Sequence, residues 1–335
     1  MIKLAILSCA HIHTKGYIED IAKSGKAQLS AIWDDNADRG RRYAQTSQAE
    51  FVPDLDTLLA RQDIDGFIIC SENTRHLPLL RQAVPVGKPI FCEKPFTTNV
   101  AEAVEALKLV RQHKTILHMG YVQPFTATMD GIRQVLSAKG LGNITHARFR
   151  NAHHAVYARW FDNPDLAWFV DPALSGGGAL MDMGTHAVHL LRTLLGPVKR
   201  VCATIRNLSG VYSRVDDLGI AHLEFASGVV GTVEANWLQT GGIGGLEIAG
   251  SAGTLYNDPP AGGYLLGAPG QEPSTVAPGQ DHPRQVARLI AAIEGRLSAE
   301  ELEQDLLCAA DSVAIVQSCY ASSASGLWTE VPKVG

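Results

Sequence analysis

The first 120 residues alternate short apolar segments with helical patterns, and this alternation restricts the possible folds more than any other feature of the sequence. Several of the apolar segments are nearly continuous, as expected for strands that are covered on both faces. Strand alternating with helix predicts an α/β domain with a parallel, doubly wound sheet. The predicted strands are residues 3–7, 28–33, 66–70, 89–92 and 115–119. The predicted helices are residues 14–24, 36–46, 54–61, 75–86 and 99–113.

After Gly120 the pattern changes, and extended segments separated by turn signals predict an α+β domain with a largely antiparallel, open sheet. The predicted strands are residues 144–150, 198–206, 217–226, 229–238, 245–250, 253–257 and 328–331. The predicted helices are residues 125–138, 178–195, 282–294 and 299–321, and residues 258–280 are predicted to be a loop.

We therefore expect one domain over residues 1–120 and a second over residues 121–335. An open antiparallel sheet tends to bury its free face against another subunit. The sequence thus predicts a homodimer or homotetramer formed through the C-terminal sheet.

Composition excludes several classes of protein. Of the 335 residues, 46% are hydrophobic and 19% are charged, which is typical of a globular enzyme. A net charge of −5 without a basic run indicates no nucleic-acid partner, and no apolar segment is long enough to predict a membrane span. The six cysteines include no C-x-x-C pair and no zinc spacing, so we expect reduced thiols, a cytoplasmic protein and no metal. The apolar N-terminus is interpreted as a buried strand, being too short for a signal peptide.

The turn after the first predicted strand, Ser8-Cys9-Ala10-His11-Ile12-His13, occupies the place of a dinucleotide-binding glycine fingerprint. The three glycine positions hold Ser8, Ala10 and His13, so the motif taken alone is a weak signal. Asp34 at the end of the second strand gives support, because an acidic residue there binds the adenosine ribose of NAD and repels the 2′-phosphate of NADP. A solvated turn aspartate is the alternative.

Two further motifs are more specific. Glu93-Lys94-Pro95 follows an apolar strand, at the sheet edge where open α/β sheets bind ligands; the alternative is an exposed loop lysine. Three glycines at 176–178 precede Asp182 and His186, which lie four residues apart and so on one helical face. A carboxylate that orients an imidazole supports a histidine general base. The alternatives are a purely structural pair and metal ligation that also uses His189.

Taken together, these motifs resemble those of the glucose–fructose oxidoreductase/inositol dehydrogenase (Gfo/Idh/MocA) family over essentially the whole chain. The resemblance implies an N-terminal Rossmann domain, a C-terminal domain with an open antiparallel sheet, and NAD(P)-dependent oxidation of a carbinol on a sugar, polyol or related small molecule. It implies that Lys94 stabilises alkoxide charge, that Asp182 orients and polarises the reacting groups, and that His186 takes the hydroxyl proton. The implied cofactor-binding residues are Ser8, Ala10, His11, Ile12, Asp34, Ser71, Asn73, His76, Glu93 and Lys94.

The sequence departs from the family pattern in two places. The phosphate-binding turn lacks its glycines, and Pro124 stands where the family often has an arginine. Substrate contacts are therefore expected from polar and aromatic residues around the loop before the triple glycine. The candidates are Tyr121, Arg150, His153, His154, Tyr157 and Trp168.

Two other functions remain possible from the sequence. One is a glycoside hydrolase of the same fold, in which tightly held NAD oxidises the substrate transiently. The other is a ligand sensor without catalysis, favoured only by the altered turn. The intact set Lys94, Asp182 and His186 favours a dehydrogenase that uses NAD, with NADP as the less favoured cofactor.

Overall fold

A computed structural model describes residues 1–242, 244–260 and 262–335 of the chain. Its first part alternates strand and helix as predicted. The strands are β1 (Ile2–Leu7), β2 (Ala27–Trp33), β3 (Glu50–Phe51), β4 (Gly66–Ile69), β5 (Ile90–Cys92) and β6 (Leu117–Met119). The helices are α1 (Thr14–Lys23), α2 (Ala37–Ser47), α3 (Leu55–Leu59), α4 (His76–Ala83) and α5 (Val100–His113).

These strands form a six-stranded parallel sheet in the order β3-β2-β1-β4-β5-β6. The predicted doubly wound α/β domain is confirmed. Strand β3 was not predicted, because two residues are too few to show a periodicity. All side chains of β4 and β5 are buried, which explains why these segments read as continuously apolar.

The second part contains nine strands and five helices among the described residues. The strands are β7 (Ile144–Ala152), β8 (Val198–Arg206), β9 (Leu218–Phe225), β10 (Val230–Asn236), β11 (Gly245–Gly250), β12 (Thr254–Asp258), β13 (Gly263–Gly267), β14 (Ser274–Thr275) and β15 (Thr329–Glu330). The helices are α6 (Ala127–Ser137), α7 (Pro172–Ser175), α8 (Thr185–Leu195), α9 (Gln285–Ile293) and α10 (Ala299–Ser325).

The nine strands form one sheet in the order β14-β13-β12-β11-β7-β10-β9-β8-β15. Its pairs are antiparallel except β7 and β10, which run parallel, so the largely antiparallel prediction is confirmed. The prediction of a loop over residues 258–280 is wrong where β13 and β14 form. Glycine and proline lie close to both of these short strands, and they obscure the alternating pattern by which a strand is predicted.

The closing helices connect the two sheets. Leu306 and Val313 of α10 belong to the core of the first sheet, whereas Ile315 and Cys319, further along the same helix, belong to the core of the second. Helix α9 also packs on the first sheet. The domain division at residue 120 stays a prediction, since these helices follow the second sheet in sequence and pack partly on the first. Among the described helices, none is long and apolar enough to cross a membrane.

Helix α10 begins with a capping box, which gives a first testable prediction. The Ser298 hydroxyl accepts a hydrogen bond from the Glu301 N–H, and the Glu301 carboxylate accepts one from the Ser298 N–H. Ser298→Ala leaves one of these main-chain donors unpaired, so we expect a loss of about 1 kcal/mol in the free energy of unfolding. Urea denaturation measures it. Ser325→Ala in the last turn is the matched control, and equal effects of the two substitutions would contradict the prediction.

A second prediction concerns Asp305 of α10, which is buried. Burial raises the pKa of Asp305 to about 6, although Arg288 partly opposes this shift. In the unfolded chain the same carboxyl ionises near pH 4. The stability that depends on protonated Asp305 is therefore present below about pH 4 and is lost as the pH rises through 6.

The test is urea unfolding of the wild type and of Asp305→Asn between pH 4 and pH 8. We expect the stability of the wild type relative to the variant to fall with rising pH, by an amount on the order of 3 kcal/mol. Parallel pH profiles of the two proteins would contradict the assigned ionisation.

Candidate functional site

The candidate site lies where the carboxyl ends of the parallel strands face the π-helical turn that precedes α8. A cavity of about 370 Å³ occupies this place. Its wall includes His11 and His13 from the turn after β1, Lys94 after β5, and Asp182 and His186 from the second domain. The predicted lysine and histidine from opposite halves of the chain therefore line the same cavity.

Lys94 and Asp182 form an ion pair across the cleft. The Lys94 Nζ lies 2.7 Å from Asp182 Oδ1, and Lys94 is only 3% exposed. The other oxygen, Asp182 Oδ2, accepts a hydrogen bond of 3.0 Å from the indole Nε1 of Trp237 and lies 4.0 Å from His153 Nε2. A buried charge needs partners for its polar atoms, and both oxygens of the Asp182 carboxylate have one.

The protonation states follow from these contacts. Burial alone would raise the pKa of Asp182, but the Lys94 ammonium holds the pKa of this carboxyl well below its usual range. Burial lowers the pKa of His186 to about 3, and the nearby Lys94 charge adds to this effect. At neutral pH the site therefore holds an ammonium, a carboxylate and a neutral imidazole that can accept a proton.

The helix that carries Asp182 and His186 differs from the prediction of one regular helix over 178–195. Residues Leu180–Gly184 form a π-helical turn, and α8 begins at Thr185. Such a turn changes the angular spacing of residues along the helix and is frequent at functional sites. Among the described residues, the hydrogen bonds of the Asp182 carboxylate go to Lys94 and Trp237 and none goes to His186.

The triple glycine admits the main chain of Asp216. A Cβ atom on Gly178 would lie 1.9 Å from the Asp216 carbonyl oxygen, so only glycine fits. The Asp216 carboxylate accepts hydrogen bonds from the N–H groups of Gly178 and Leu180, each 2.8 Å long, and from the Tyr320 hydroxyl. Asp216 thus fixes the start of the π-helical turn.

The glycine-poor turn after β1 adopts the backbone shape that glycine usually provides. Ser8 occupies the first glycine position with φ = 67°, in the left-handed region. Ala10 and His11 are buried, and Ile12 is 42% exposed. In the described part of the chain we find no acceptor for the main-chain N–H groups of Ala10 and Ile12. These are the donors that a pyrophosphate requires, so the turn fits a dinucleotide.

Asp34 has a different environment from the one expected. Its carboxylate is buried against Arg39, with contacts of 2.8 Å to Nε and 2.7 Å to Nη2. It also accepts hydrogen bonds from the N–H groups of Cys9 and Asn36. Four donors already occupy the two oxygens, so Asp34 holds the turn and Arg39 in place. The Arg39 guanidinium also contacts Ser8, Asp35 and Glu72.

The remaining predicted cofactor residues lie at the same sheet edge. Asn73 Nδ2 donates to the Ser175 carbonyl at 2.8 Å, and Ser71 Oγ donates to the Glu72 carbonyl at 3.2 Å. The His76 Nδ1 lies 2.7 Å from the Pro95 carbonyl oxygen. The Asn73 contact joins the strand ends of the first sheet to the helix before the triple glycine.

Of the six predicted substrate residues, only His153 is on the cavity wall. Tyr121 is buried, with its hydroxyl 2.7 Å from Thr185 Oγ1, and Trp168 donates from Nε1 to the Ala10 carbonyl at 3.0 Å. Arg150 pairs with Glu234 on the open sheet face. His154 and Tyr157 are exposed outside the cavity. Tyr121 follows β6 and is turned into the core, whereas β7 and the loop after it turn the other four side chains into the core, onto the open face or into solvent.

The sequence analysis did not identify several residues of the site. Gln123 and Asn151 line the cavity, and Gln123 Oε1 is buried without a partner in the described part of the chain. Trp160 stacks on His153 with ring centroids 4.8 Å apart. Trp237 was a possible site residue from the sequence, because it lies near the end of the predicted strand 229–238 and carries a polar indole N–H. No feature of the sequence indicated that Gln123 belongs to the site.

Comparison with known proteins agrees with this architecture. A family model described as the oxidoreductase family with an NAD-binding Rossmann fold matches residues 2–121, and a model of the GFO/IDH/MocA C-terminal domain matches residues 129–256. The chain is 26% identical over 266 residues to a dTDP-3,4-didehydro-2,6-dideoxy-alpha-D-glucose 3-reductase from Streptomyces violaceoruber, covering 78% of this chain and 75% of that protein.

A second relative is the 1,5-anhydro-D-fructose reductase of Ensifer adhaerens, which is 23% identical over 90% of this chain and 92% of its own. A solved structure of levoglucosan dehydrogenase with NADH and levoglucosan has the same fold, with a TM-score of 0.82 at 20% identity over 99% of this chain and 100% of that one. The two family models, which follow one another along the chain, and the shared fold lead to one assignment: this chain belongs to the Gfo/Idh/MocA family of NAD-binding oxidoreductases.

Proposed function

We propose that this NAD-dependent oxidoreductase transfers a hydride between a carbinol carbon of a neutral sugar or polyol and nicotinamide, with Lys94, Asp182 and His186 as the catalytic residues. The observation that carries the proposal is the 2.7 Å contact between Lys94 Nζ and Asp182 Oδ1 in a cavity that His186 also lines. This cavity adjoins the turn whose free N–H groups suit a pyrophosphate.

Each group has a role that matches its charge. The Lys94 ammonium binds the reacting hydroxyl oxygen and stabilises the negative charge that develops there. Asp182 keeps this ammonium in place. The His186 imidazole, which its low pKa keeps neutral before the reaction, takes the hydroxyl proton. When bound, NAD supplies the hydride acceptor.

The cavity wall supports a neutral, hydroxyl-rich substrate. The Lys94 and Asp182 charges balance one another, while the side-chain amides of Gln123 and Asn151 can exchange hydrogen bonds with hydroxyl groups. Trp160 provides an aromatic surface beside these groups, as carbohydrate sites commonly do. The relatives that act on sugars, named above, are consistent with this substrate class.

A third prediction tests the role of Lys94. Levoglucosan, scyllo-inositol and a panel of monosaccharides are offered with NAD, and 1,5-anhydro-D-fructose is offered with NADH. We expect NAD-dependent turnover with at least one compound. Lys94→Met should lower kcat by about 10²-fold or more, because the stabilisation of the developing alkoxide is lost.

The control is Lys108→Met, which changes an exposed lysine of α5 and should retain wild-type kcat. Titration calorimetry should show NAD binding by both variants. Unchanged turnover in Lys94→Met would refute the assigned role. Release of free sugar from an aryl glycoside without net NADH would indicate the hydrolase instead, and absence of heat with NAD would indicate a sensor.

We further propose that the chain forms a homodimer or homotetramer through the open face of the second sheet. Strands β7, β9 and β10 present Arg148, Ile220, Val230 and Thr232 on this face, so it mixes charged and apolar groups. Such a face is expected to be covered by another subunit. The free cysteines are consistent with a reducing compartment, and we propose a cytoplasmic location.

A fourth prediction follows for the oligomer. Light scattering should give a mass of at least twice the 35.9 kDa of one chain. Thr232→Arg in the middle of the face should shift the protein towards monomer, because the new charge is desolvated on association. Thr46→Arg on the exposed side of α2 should not. A monomeric wild type would exclude this interface.

A further inference from the structure

The turn after β1 and the Glu93 carboxylate bring three metal-ligating atoms together. The His13 Nδ1 lies 2.9 Å from Glu93 Oε1, and the His11 Nδ1 lies 3.4 Å from the same oxygen. One ligand atom from each of the three side chains lies within 4.8 Å of the other two. The two histidines are 80 and 82 residues from Glu93 along the chain, so spacing in the sequence did not predict this cluster.

The contact between His11 and Glu93 is unfavourable without a cation. His11 Nδ1 accepts a hydrogen bond of 3.3 Å from the His13 N–H, so this nitrogen carries its lone pair rather than a proton. The lone pair faces a carboxylate oxygen, and both side chains are almost completely buried. Two buried electron-pair donors at this separation repel each other unless a proton or a metal ion lies between them.

We propose that His11 Nδ1, His13 Nδ1 and Glu93 Oε1 bind one divalent transition-metal ion, with zinc as the preferred ion. Two imidazoles and one carboxylate are a common donor set for zinc, with bonds of roughly 2.0–2.2 Å. Tetrahedral ligands at that distance are about 3.3 Å apart. The observed contacts of 2.9 and 3.4 Å fall on either side of this separation.

The surroundings of the cluster fit this assignment. The second carboxylate oxygen, Glu93 Oε2, accepts a hydrogen bond from the Lys94 N–H at 3.0 Å. The Tyr17 hydroxyl donates to Glu93 Oε1 and itself accepts a hydrogen bond from Gln285 Nε2. Groups of this kind orient the ligands of metal sites.

The site has an entry path and an open coordination position. The side chain of His13 is 45% exposed, so an ion can reach the cluster from solvent. His11 and His13 also line the cavity that contains Lys94 and His186. The fourth position of a tetrahedral ion would face this cavity and hold water. The inference is independent of the proposed hydride transfer, because it concerns the side chains of the turn and is tested without NAD or substrate.

The test is metal binding by the full chain without added nucleotide. Protein treated with a chelator and kept reduced by a phosphine is titrated with Zn²⁺, and the bound metal is counted after dialysis. We expect one tightly bound ion per chain. His13→Gln should weaken Zn²⁺ binding by about tenfold or more, since one ligand of three is lost. His146→Gln, which changes an exposed histidine of the second sheet, is the matched control and should bind as the wild type does.

Cobalt substitution identifies the donor atoms. Co²⁺ bound by imidazole and carboxylate should give visible bands without a thiolate-to-metal charge-transfer band, and His11→Asn should abolish them. Circular dichroism and thermal unfolding show whether each variant is folded, and the half-exposed His13 keeps the test valid if His11→Asn does not fold. A thiolate band, equal affinity in the wild type and His13→Gln, or no retained ion would overturn the proposal.

Discussion

The ion pair between Lys94 and Asp182 is the contact on which the arrangement of the site depends. It joins the end of β5 in the first sheet to the π-helical turn of the second part of the chain. Two buried charges are costly to desolvate, and a pair repays this cost only when its geometry is close to ideal. Each half of the chain therefore supplies a charge that the other half must neutralise. Burial, with the nearby Lys94 charge, lowers the pKa of His186 and so keeps its imidazole neutral at physiological pH.

The two halves are also held in register by hydrogen bonds and by shared packing. The Asn73 side chain donates to the Ser175 carbonyl, and the Trp168 indole donates to the Ala10 carbonyl. Asp216 fixes the turn that begins with Gly178, where no side chain would fit. Helix α10 contributes to the cores of both sheets. The Asn73 and Trp168 contacts and helix α10 each link the two halves directly. Asp216 acts indirectly, because it supports the turn that carries Asp182. Together these contacts define the width of the cleft.

The glycine-poor turn keeps the backbone conformation of the glycine fingerprint although its glycines are replaced. Ser8 has the positive φ of the first fingerprint glycine, and its neighbourhood is tied down by the Asp34 carboxylate, which accepts from the Cys9 N–H. His13, at the third position, points towards Glu93 rather than against the helix. The bulky side chain that made the motif weak in the sequence therefore lies in the cleft, where it does not obstruct close packing of strand and helix.

The sequence by itself determined most of the longer elements and their order, because periodicity, caps and turn residues are local properties. Asn99, at the start of the helix predicted over residues 99–113, caps α5 by accepting the hydrogen bond from the Glu102 N–H. The positions of Lys94, Asp182 and His186 also followed from motifs. Only the tertiary structure decided the partners of these residues: Trp237 rather than His186 for the second Asp182 oxygen, Arg39 for Asp34, and Glu93 for the two histidines. Trp237 and Glu93 are tens of residues from their partners, and in all three cases the direction of the side chain depends on packing that no local pattern encodes.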